Sequence, residues 1–221
     1  MFRRFILFKA IILDMDGLMV DTERLYIEVE QKIASEYGKT VSKAVFAEMM
    51  GQKPLKSMEI LQKFLEVDVS PFSLLKKRDH HFLRKLQKNL QPLPGLFTFL
   101  DNFAQKYKLA LATGSTETIT NIILTQLNIS QYFNVIQTSD SVEKGKPDPE
   151  IYQKTVKRLQ VQATECIVLE DSNNGIISAK RAGCYTIAVP SVYTESQDFS
   201  SADFIADNLL DAASHIKALT T

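Results

Sequence analysis

The sequence has few of the features that mark specialised protein classes. Its 221 residues include only two cysteines, Cys166 and Cys184, and no tryptophan. Two cysteines are too few for a disulfide framework or a zinc site. Both lie in apolar runs, so we expect buried free thiols. Lys and Arg number 26, as do Asp and Glu, so the chain lacks the basic excess that is typical of nucleic-acid-binding proteins.

Long hydrophobic runs are also missing. No apolar stretch approaches the roughly 20 residues that a membrane helix needs. The apolar residues near the N-terminus are interrupted by Lys9 and end at Asp14, where a secretion signal would need a cleavage site of small residues. Hydrophobic residues make up 45% and charged residues 24%, as in globular proteins. We therefore expect a soluble, cytoplasmic protein with no membrane partner.

Short apolar runs alternate with amphipathic stretches along most of the chain. Runs that are apolar on both faces predict the buried strands of a parallel sheet, and runs with a 3.6-residue period predict the helices that cover it. The predicted strands cover 10–14, 109–113, 135–138, 166–170, 185–189 and 203–206, and the predicted helices 95–106, 116–127, 149–158, 173–182 and 208–218. This alternation predicts an α/β fold with a Rossmann-like, doubly wound parallel sheet.

Residues 22–90 interrupt the alternation and show helical periodicity only, broken by glycines and prolines. We predict a cap domain of about four helices, inserted into a core formed by 1–21 and 91–221. Because open α/β sheets bind ligands beyond the carboxyl ends of their strands, we expect the cap to cover such a site. It holds 13 basic and 9 acidic residues, which favours an anionic substrate. Within it, the run of Lys76, Lys77 and Arg78 predicts an exposed face.

Carboxylates follow two of the predicted strands. Asp14 and Asp16 come directly after the first strand, and Glu170 and Asp171 end a later one. If both strands are central, these carboxylates converge on one point, where a cation is needed to offset their mutual repulsion. Clustered carboxylate oxygens suit Mg²⁺, so the sequence predicts a magnesium site.

Groups suited to an anion follow other strands. Thr113, Gly114 and Ser115 join a strand to a helix start, where hydroxyls and free backbone N–H groups can hold phosphate oxygens. Lys146 lies in a loop between prolines just before a helix, where it could neutralise carboxylates and a phosphate. Together these groups predict phosphoryl transfer through an aspartyl-phosphate.

The segment Asp14-Met15-Asp16-Gly17-Leu18-Met19-Val20-Asp21 resembles the first motif of the haloacid dehalogenase superfamily. Thr113, Lys146 and the pair Glu170-Asp171 resemble its second, third and fourth motifs, in the same order and on the same kinds of element. The resemblance covers essentially the whole chain, including the helical cap after the first motif.

The resemblance implies a role for each residue. Asp14 would attack phosphorus, and Asp16 would protonate the leaving oxygen and then activate the water that cleaves the aspartyl-phosphate. Mg²⁺ would be bound by Asp14, the backbone carbonyl of Asp16 and Asp171, with Glu170 helping directly or through water. The transferring phosphoryl group would be held by Thr113, Gly114, Ser115 and Lys146.

Within the superfamily, the chain is similar to the β-phosphoglucomutase/pseudouridine-5'-phosphatase-like group with a helical C1 cap. Asp16 favours phosphate esters, because dehalogenases and phosphonate-cleaving members lack a carboxylate at that position. Tyr26 and Pro54 stand where the mutases have a histidine and an arginine. The similar cap segment around Gly51 implies that Gly51 and Lys53 contact the substrate.

We therefore predict a phosphatase that uses Mg²⁺ and acts as a monomer on a small phosphorylated metabolite, either a sugar phosphate or a nucleoside or pseudouridine 5'-phosphate. One alternative is a phosphosugar mutase similar to β-phosphoglucomutase. An alternative from another class is a catalytically idle binding protein with the same fold.

Overall fold

The computed structural model describes residues 7–49 and 54–219. The chain folds as two compact units. One unit consists of Met1–Asp21 with Gln91–Thr221, and the other of Thr22–Leu90. In the described ranges, no helix is both long and apolar enough to cross a membrane.

The first unit is built on a parallel sheet. Its strands are β1 (Ala10–Leu13), β2 (Lys108–Ala112), β3 (Val135–Gln137), β4 (Cys166–Glu170), β5 (Tyr185–Ala188) and β6 (Phe204–Ile205). They lie in the order β3-β2-β1-β4-β5-β6, and every neighbouring pair is parallel. β1 and β4 are buried along their whole length, as their apolar runs predict for central strands.

Within the described residues, five α-helices accompany the sheet. They are α5 (Leu96–Phe103), α6 (Glu117–Leu127), α7 (Glu150–Leu159), α8 (Asn173–Arg181) and α9 (Leu209–Leu219). α7 presents Ile151, Tyr152, Val156 and Leu159 to the core, at the three- and four-residue spacing of one helix face. With helices on both sides of the sheet, the predicted Rossmann-like α/β fold is confirmed.

The second unit contains the helices α1 (Thr22–Ser35), α2 (Lys43–Met49), α3 (Pro54–Leu65) and α4 (Pro71–Asn89). α4 begins after Ser70, whose side chain accepts a hydrogen bond from the backbone N–H of Ser73, and Pro71 occupies the first helical position. Its apolar face buries Leu74, Phe82 and Leu86. This unit is therefore a small helical bundle.

A charged cluster lies inside this bundle. Arg78 on α4 is only 7% exposed, and its guanidinium lies 4.0 Å from the buried carboxylate of Glu30 on α1. The guanidinium also stacks over the ring of Tyr26, which stacks in turn on Phe82 with ring centroids 3.9 Å apart. The Nε and Nη2 atoms of Arg78 donate to Asp79 Oδ1 at 3.2 and 3.0 Å. The prediction of an exposed face is therefore wrong for Arg78, because Asp79 and Glu30 are partners for its charge and Tyr26 for its planar group.

The two cysteines are free and buried, as predicted. Cys166 is the first residue of β4, and Cys184 immediately precedes β5. Hydrogen bonding with Cys184 and burial raise the pKa of the Cys166 thiol, so it remains protonated. These thiols pack as small apolar groups in the core.

Candidate active site

The predicted site residues of the core lie where three neighbouring strands end. Asp14 follows β1, Thr113 follows β2, and Glu170 is the last residue of β4. Because β1 pairs in parallel with both β2 and β4, the three strands end at the same edge of the sheet. The backbone N–H of Asp14 donates to the carbonyl of Leu169 at 3.0 Å. The hydrogen bonds between β1 and β4 therefore continue to Asp14 and fix the position of its backbone.

Lys146 connects two of these strand ends. It comes from the loop before α7, and its ammonium group donates to Asp14 Oδ1 and to Glu170 Oε1, both at 2.5 Å. A third hydrogen bond goes to the backbone carbonyl of Ala112 at 3.2 Å. The three donor positions of the ammonium group are thus all used. Lys146 therefore has a fixed position beside Asp14.

Asp16 lies beside the two hydroxyl groups that follow β2. Its Oδ2 atom accepts hydrogen bonds from Thr113 Oγ1 at 3.0 Å and from Ser115 Oγ at 2.8 Å. The backbone N–H of Ser115 donates to Thr113 Oγ1 at 2.9 Å, which holds the turn together. Gly114, between them, is exposed, and a Cβ there would meet no atom within 4 Å. The turn thus combines two hydroxyl groups with an exposed backbone just before a helix, and such a turn can hold phosphate oxygens.

The turn after β1 depends on Gly17. Its φ angle is +77°, and its N–H donates to the carbonyl of Val20 at 2.9 Å. A Cβ at this position would lie 2.1 Å from Asp171 Oδ2, so no other residue fits without moving that carboxylate. The glycine thus allows the first turn and Asp171 to approach each other closely.

Three carboxylates form a candidate metal centre. Asp14, Glu170 and Asp171 are all buried, and each offers an oxygen within 4.8 Å of the others. Hard oxygen ligands in such a cluster suit Mg²⁺, which usually takes only one or two protein carboxylates. The donor set therefore fits the predicted cation.

The electrostatics of the site agree with this fit. Burial, opposed by Lys146 and reinforced by the charges of Glu170 and Asp16, raises the pKa of Asp14 to about 8. Burial disfavours the charge on Lys146, but Asp14 and Glu170 outweigh it and hold the pKa of Lys146 well above its usual range. The ammonium group of Lys146 pairs with both Asp14 and Glu170. Its single positive charge therefore does not neutralise the carboxylates of the cluster.

Sequence reasoning missed two groups. The hydroxyl of Tyr152 donates to Glu170 Oε1 at 2.9 Å, and Ser172 donates to Glu170 Oε2 from its backbone N–H at 3.1 Å and from its Oγ at 2.9 Å. No sequence signal separates Tyr152 from the other core residues of α7, whereas Ser172 could have been found as the helix N-cap. The predicted cap residues Gly51 and Lys53 lie outside the described residues.

Comparisons with known proteins agree on one family. A family model described as haloacid dehalogenase-like hydrolase matches residues 11–189. The phosphorylated carbohydrates phosphatase of Thermotoga maritima is 36% identical over 176 residues, which are 79% of this chain and 82% of that protein. A Drosophila melanogaster protein provisionally named pseudouridine-5'-phosphatase is 30% identical over 207 residues, covering 90% of this chain and 89% of its own length.

A solved structure shows the same fold. It is a crystal structure of a Thermotoga maritima protein provisionally named a beta-phosphoglucomutase, with a TM-score of 0.80 and 30% sequence identity. The alignment covers 95% of this chain and 99% of that one.

Proposed function

The chain belongs to the haloacid dehalogenase-like hydrolase family, and from this we propose that it is a Mg²⁺-dependent phosphomonoesterase acting on a small phosphorylated metabolite. Curated relatives of this chain are named phosphatases, which confirms the expected class of phosphoric monoester hydrolase. The observation that carries the mechanism is the contact of Lys146 with Asp14 at the edge where three strands end.

In the proposed reaction, the carboxylate of Asp14 attacks phosphorus and forms an aspartyl-phosphate. Lys146 exchanges its 3.2 Å hydrogen bond to the Ala112 carbonyl for one to a phosphoryl oxygen and offsets the repulsion between the two anions. When the ester binds, the hydroxyls of Thr113 and Ser115 turn from Asp16 Oδ2 to the other phosphoryl oxygens, which the backbone at Gly114 also holds. A bound Mg²⁺ would supply further positive charge to the phosphoryl group and would favour the carboxylate form of Asp14.

Asp16 is the proposed general acid and base. It gives a proton to the leaving oxygen and then takes one from the water that cleaves the aspartyl-phosphate. Before the ester binds, the two hydroxyls that donate to its Oδ2 orient the carboxyl group. Asp14 and Asp171 are the proposed side-chain ligands of the cation, with the Asp16 backbone carbonyl.

The proposed substrates are sugar phosphates and nucleoside or pseudouridine 5'-phosphates. Two relatives support these classes, one named a phosphorylated carbohydrates phosphatase and the other, provisionally, a pseudouridine-5'-phosphatase. We further propose that residues 22–90 serve as the cap that selects the leaving group, and that Gly51 and Lys53 contribute to it. The net positive charge of this segment suits an anionic ester.

A phosphosugar mutase is the second candidate, and the provisional name of the similar Thermotoga maritima structure favours it. Tyr26 counts against this candidate, because it stands where the mutases have a histidine and its ring packs between Phe82 and Arg78. A hexose 1-phosphate distinguishes the two reactions. Free phosphate as the product supports a phosphatase, and a hexose 6-phosphate supports a mutase.

The test of the proposed function is phosphate release with Mg²⁺ across a panel of sugar phosphates, nucleoside 5'-monophosphates and pseudouridine 5'-phosphate. We expect Asp14→Asn to abolish release, because an amide is a poor nucleophile. Asp68→Asn, which changes an exposed aspartate, is the matched control and should retain the wild-type rate. Full activity of Asp14→Asn would refute the mechanism, and no turnover by the wild type would favour an idle binding protein.

A further inference from the structure

Glu170 receives four hydrogen bonds from the chain itself. Its Oε1 atom accepts from Lys146 Nζ at 2.5 Å and from the Tyr152 hydroxyl at 2.9 Å. Its Oε2 atom accepts from the backbone N–H of Ser172 at 3.1 Å and from Ser172 Oγ at 2.9 Å. A carboxylate has about four lone-pair positions, so the protein's own donors occupy all of them.

The carboxylate is also enclosed. Glu170 is 1% exposed, and a Cβ on Gly175 would lie 1.9 Å from its carboxyl carbon and from Oε1. Ser172 is held in turn, because its Oγ accepts from the backbone N–H of Gly175 at 3.2 Å as the N-cap of α8. The Glu170 side chain therefore has little freedom to turn toward another partner.

Tyr152 is fixed on the other side of the carboxylate. It is fully buried on α7 among the core residues of that helix, so its hydroxyl has a defined position. Its ring also faces the ammonium group of Lys146, which lies 5.2 Å from the ring centroid. Tyr152 thus touches both partners of the ion pair between Lys146 and Glu170.

Direct metal binding would disturb this arrangement. If Glu170 gave a lone pair to a cation, it would have to release one of its four donors. The released donor would be a buried hydroxyl, ammonium or backbone group without a partner, which is unfavourable. Asp14 and Asp171 can hold the cation without this cost to Glu170.

We propose that Glu170 anchors Lys146 instead of binding the metal directly, and that Tyr152 is a positioning residue that fixes Glu170 through its hydroxyl. The inference rests on the proposed function, in which Lys146 holds the transferring phosphoryl group. Without the Tyr152 hydroxyl, Oε1 keeps only Lys146 as a donor, so nothing else fixes that oxygen and the position of Lys146 against it is less closely defined.

The first test compares Tyr152→Phe with Tyr185→Phe. Each substitution removes one hydroxyl and its hydrogen bond, since the Tyr185 hydroxyl pairs with His215 Nε2 at 2.9 Å outside the site. We expect Tyr152→Phe to lower kcat about tenfold and to change KM by less than about twofold, because a misplaced Lys146 loses charge stabilisation mainly in the transition state. Tyr185→Phe should retain both values. Equal kcat in the two variants would overturn the role of Tyr152.

The second test measures Mg²⁺ binding by calorimetry in the wild type, Glu170→Gln and Asp171→Asn. Both substitutions remove one negative charge from the same cluster, so the difference between them reports direct ligation. We expect Asp171→Asn to weaken Mg²⁺ binding at least about tenfold more than Glu170→Gln. Equal weakening by the two would overturn the proposal that Glu170 is not a ligand.

The calorimetric comparison needs no turnover. It decides the role of Glu170 even if Tyr152→Phe does not fold, which melting temperatures of all variants would reveal. If the wild type releases no phosphate from any ester, the proposed function is refuted. The calorimetric comparison still shows whether Glu170 binds Mg²⁺ directly.

Discussion

The buried glutamate of the helical bundle makes the stability of the protein depend on pH in a defined direction. Burial, opposed by Arg78 and reinforced by the nearby Glu23, raises the pKa of Glu30 from its ordinary value of 4.5 to about 7. A carboxyl whose pKa is raised by folding is stabilising in its protonated form. This stability is fully present below about pH 4.5 and is lost as the pH rises through about 7.

The size of the effect follows from the shift. A rise from 4.5 to about 7 corresponds to about 3 kcal/mol between the two ends of this pH range. Glu30→Gln keeps the shape of the protonated side chain and cannot ionise. We therefore expect the variant and the wild type to be similarly stable near pH 4.5, and the variant to be more stable by up to about 3 kcal/mol at pH 8.

The assay is urea unfolding of both proteins between pH 4.5 and 8, with the difference in free energy of unfolding plotted against pH. The matched control is Glu28→Gln on the same helix. Hydrogen bonding to Lys85 lowers the pKa of Glu28, with Arg24 contributing, so the stability that Glu28 contributes is lost only as the pH falls below about 4.5. Glu28→Gln should therefore be less stable than the wild type by an amount that hardly changes between pH 5 and 8. A difference between wild type and Glu30→Gln that does not vary with pH would refute the reasoning.

Three further predictions concern the site. Gly175→Ala places a methyl group 1.9 Å from the Glu170 carboxyl group and should lower the free energy of unfolding by about 1–3 kcal/mol in urea, whereas Gly145→Ala, with no atom within 4 Å, should change it by less than about 0.5 kcal/mol. Gly17→Ala displaces Asp171 and should abolish measurable Mg²⁺ binding by calorimetry; wild-type affinity would contradict this. Removing divalent cations with a chelator should stop phosphate release, and adding Mg²⁺ should restore it; release that persists with the chelator would refute the metal requirement.

The sequence was sufficient to predict the strand ends of the site. Asp14, Thr113 and Glu170 each follow or end an apolar run, and polar residues at such positions stand out against the buried strands that precede them. Parallel pairing then brings them to one edge of the sheet, a result that depends only on strand order. This is why the fold class and the converging carboxylates could both be predicted.

Contacts that depend on rotamers and close packing could not be predicted in this way. The position of Tyr152 in α7 is explained by the core alone, so its hydroxyl bond to Glu170 leaves no trace in the sequence pattern. Arg78 was misjudged for the opposite reason. It lies in a run of basic residues, which is usually exposed, but its partners Tyr26 and Glu30 lie one turn apart on α1 and meet Arg78 only in the folded bundle.

The parallel register of β1 also has a consequence for how the protein folds. Ala10 pairs with Lys108 in β2 and with Cys166 in β4, so both neighbours of the central strand lie roughly a hundred residues or more along the chain. Such non-local pairing gives the sheet a high contact order and predicts slow folding, whereas the helices of residues 22–90 form mainly local contacts and can fold quickly. The carboxylates at the strand ends are brought together only when this slow pairing is complete. Their mutual repulsion therefore opposes a late step of folding, and a cation that binds them should favour that step.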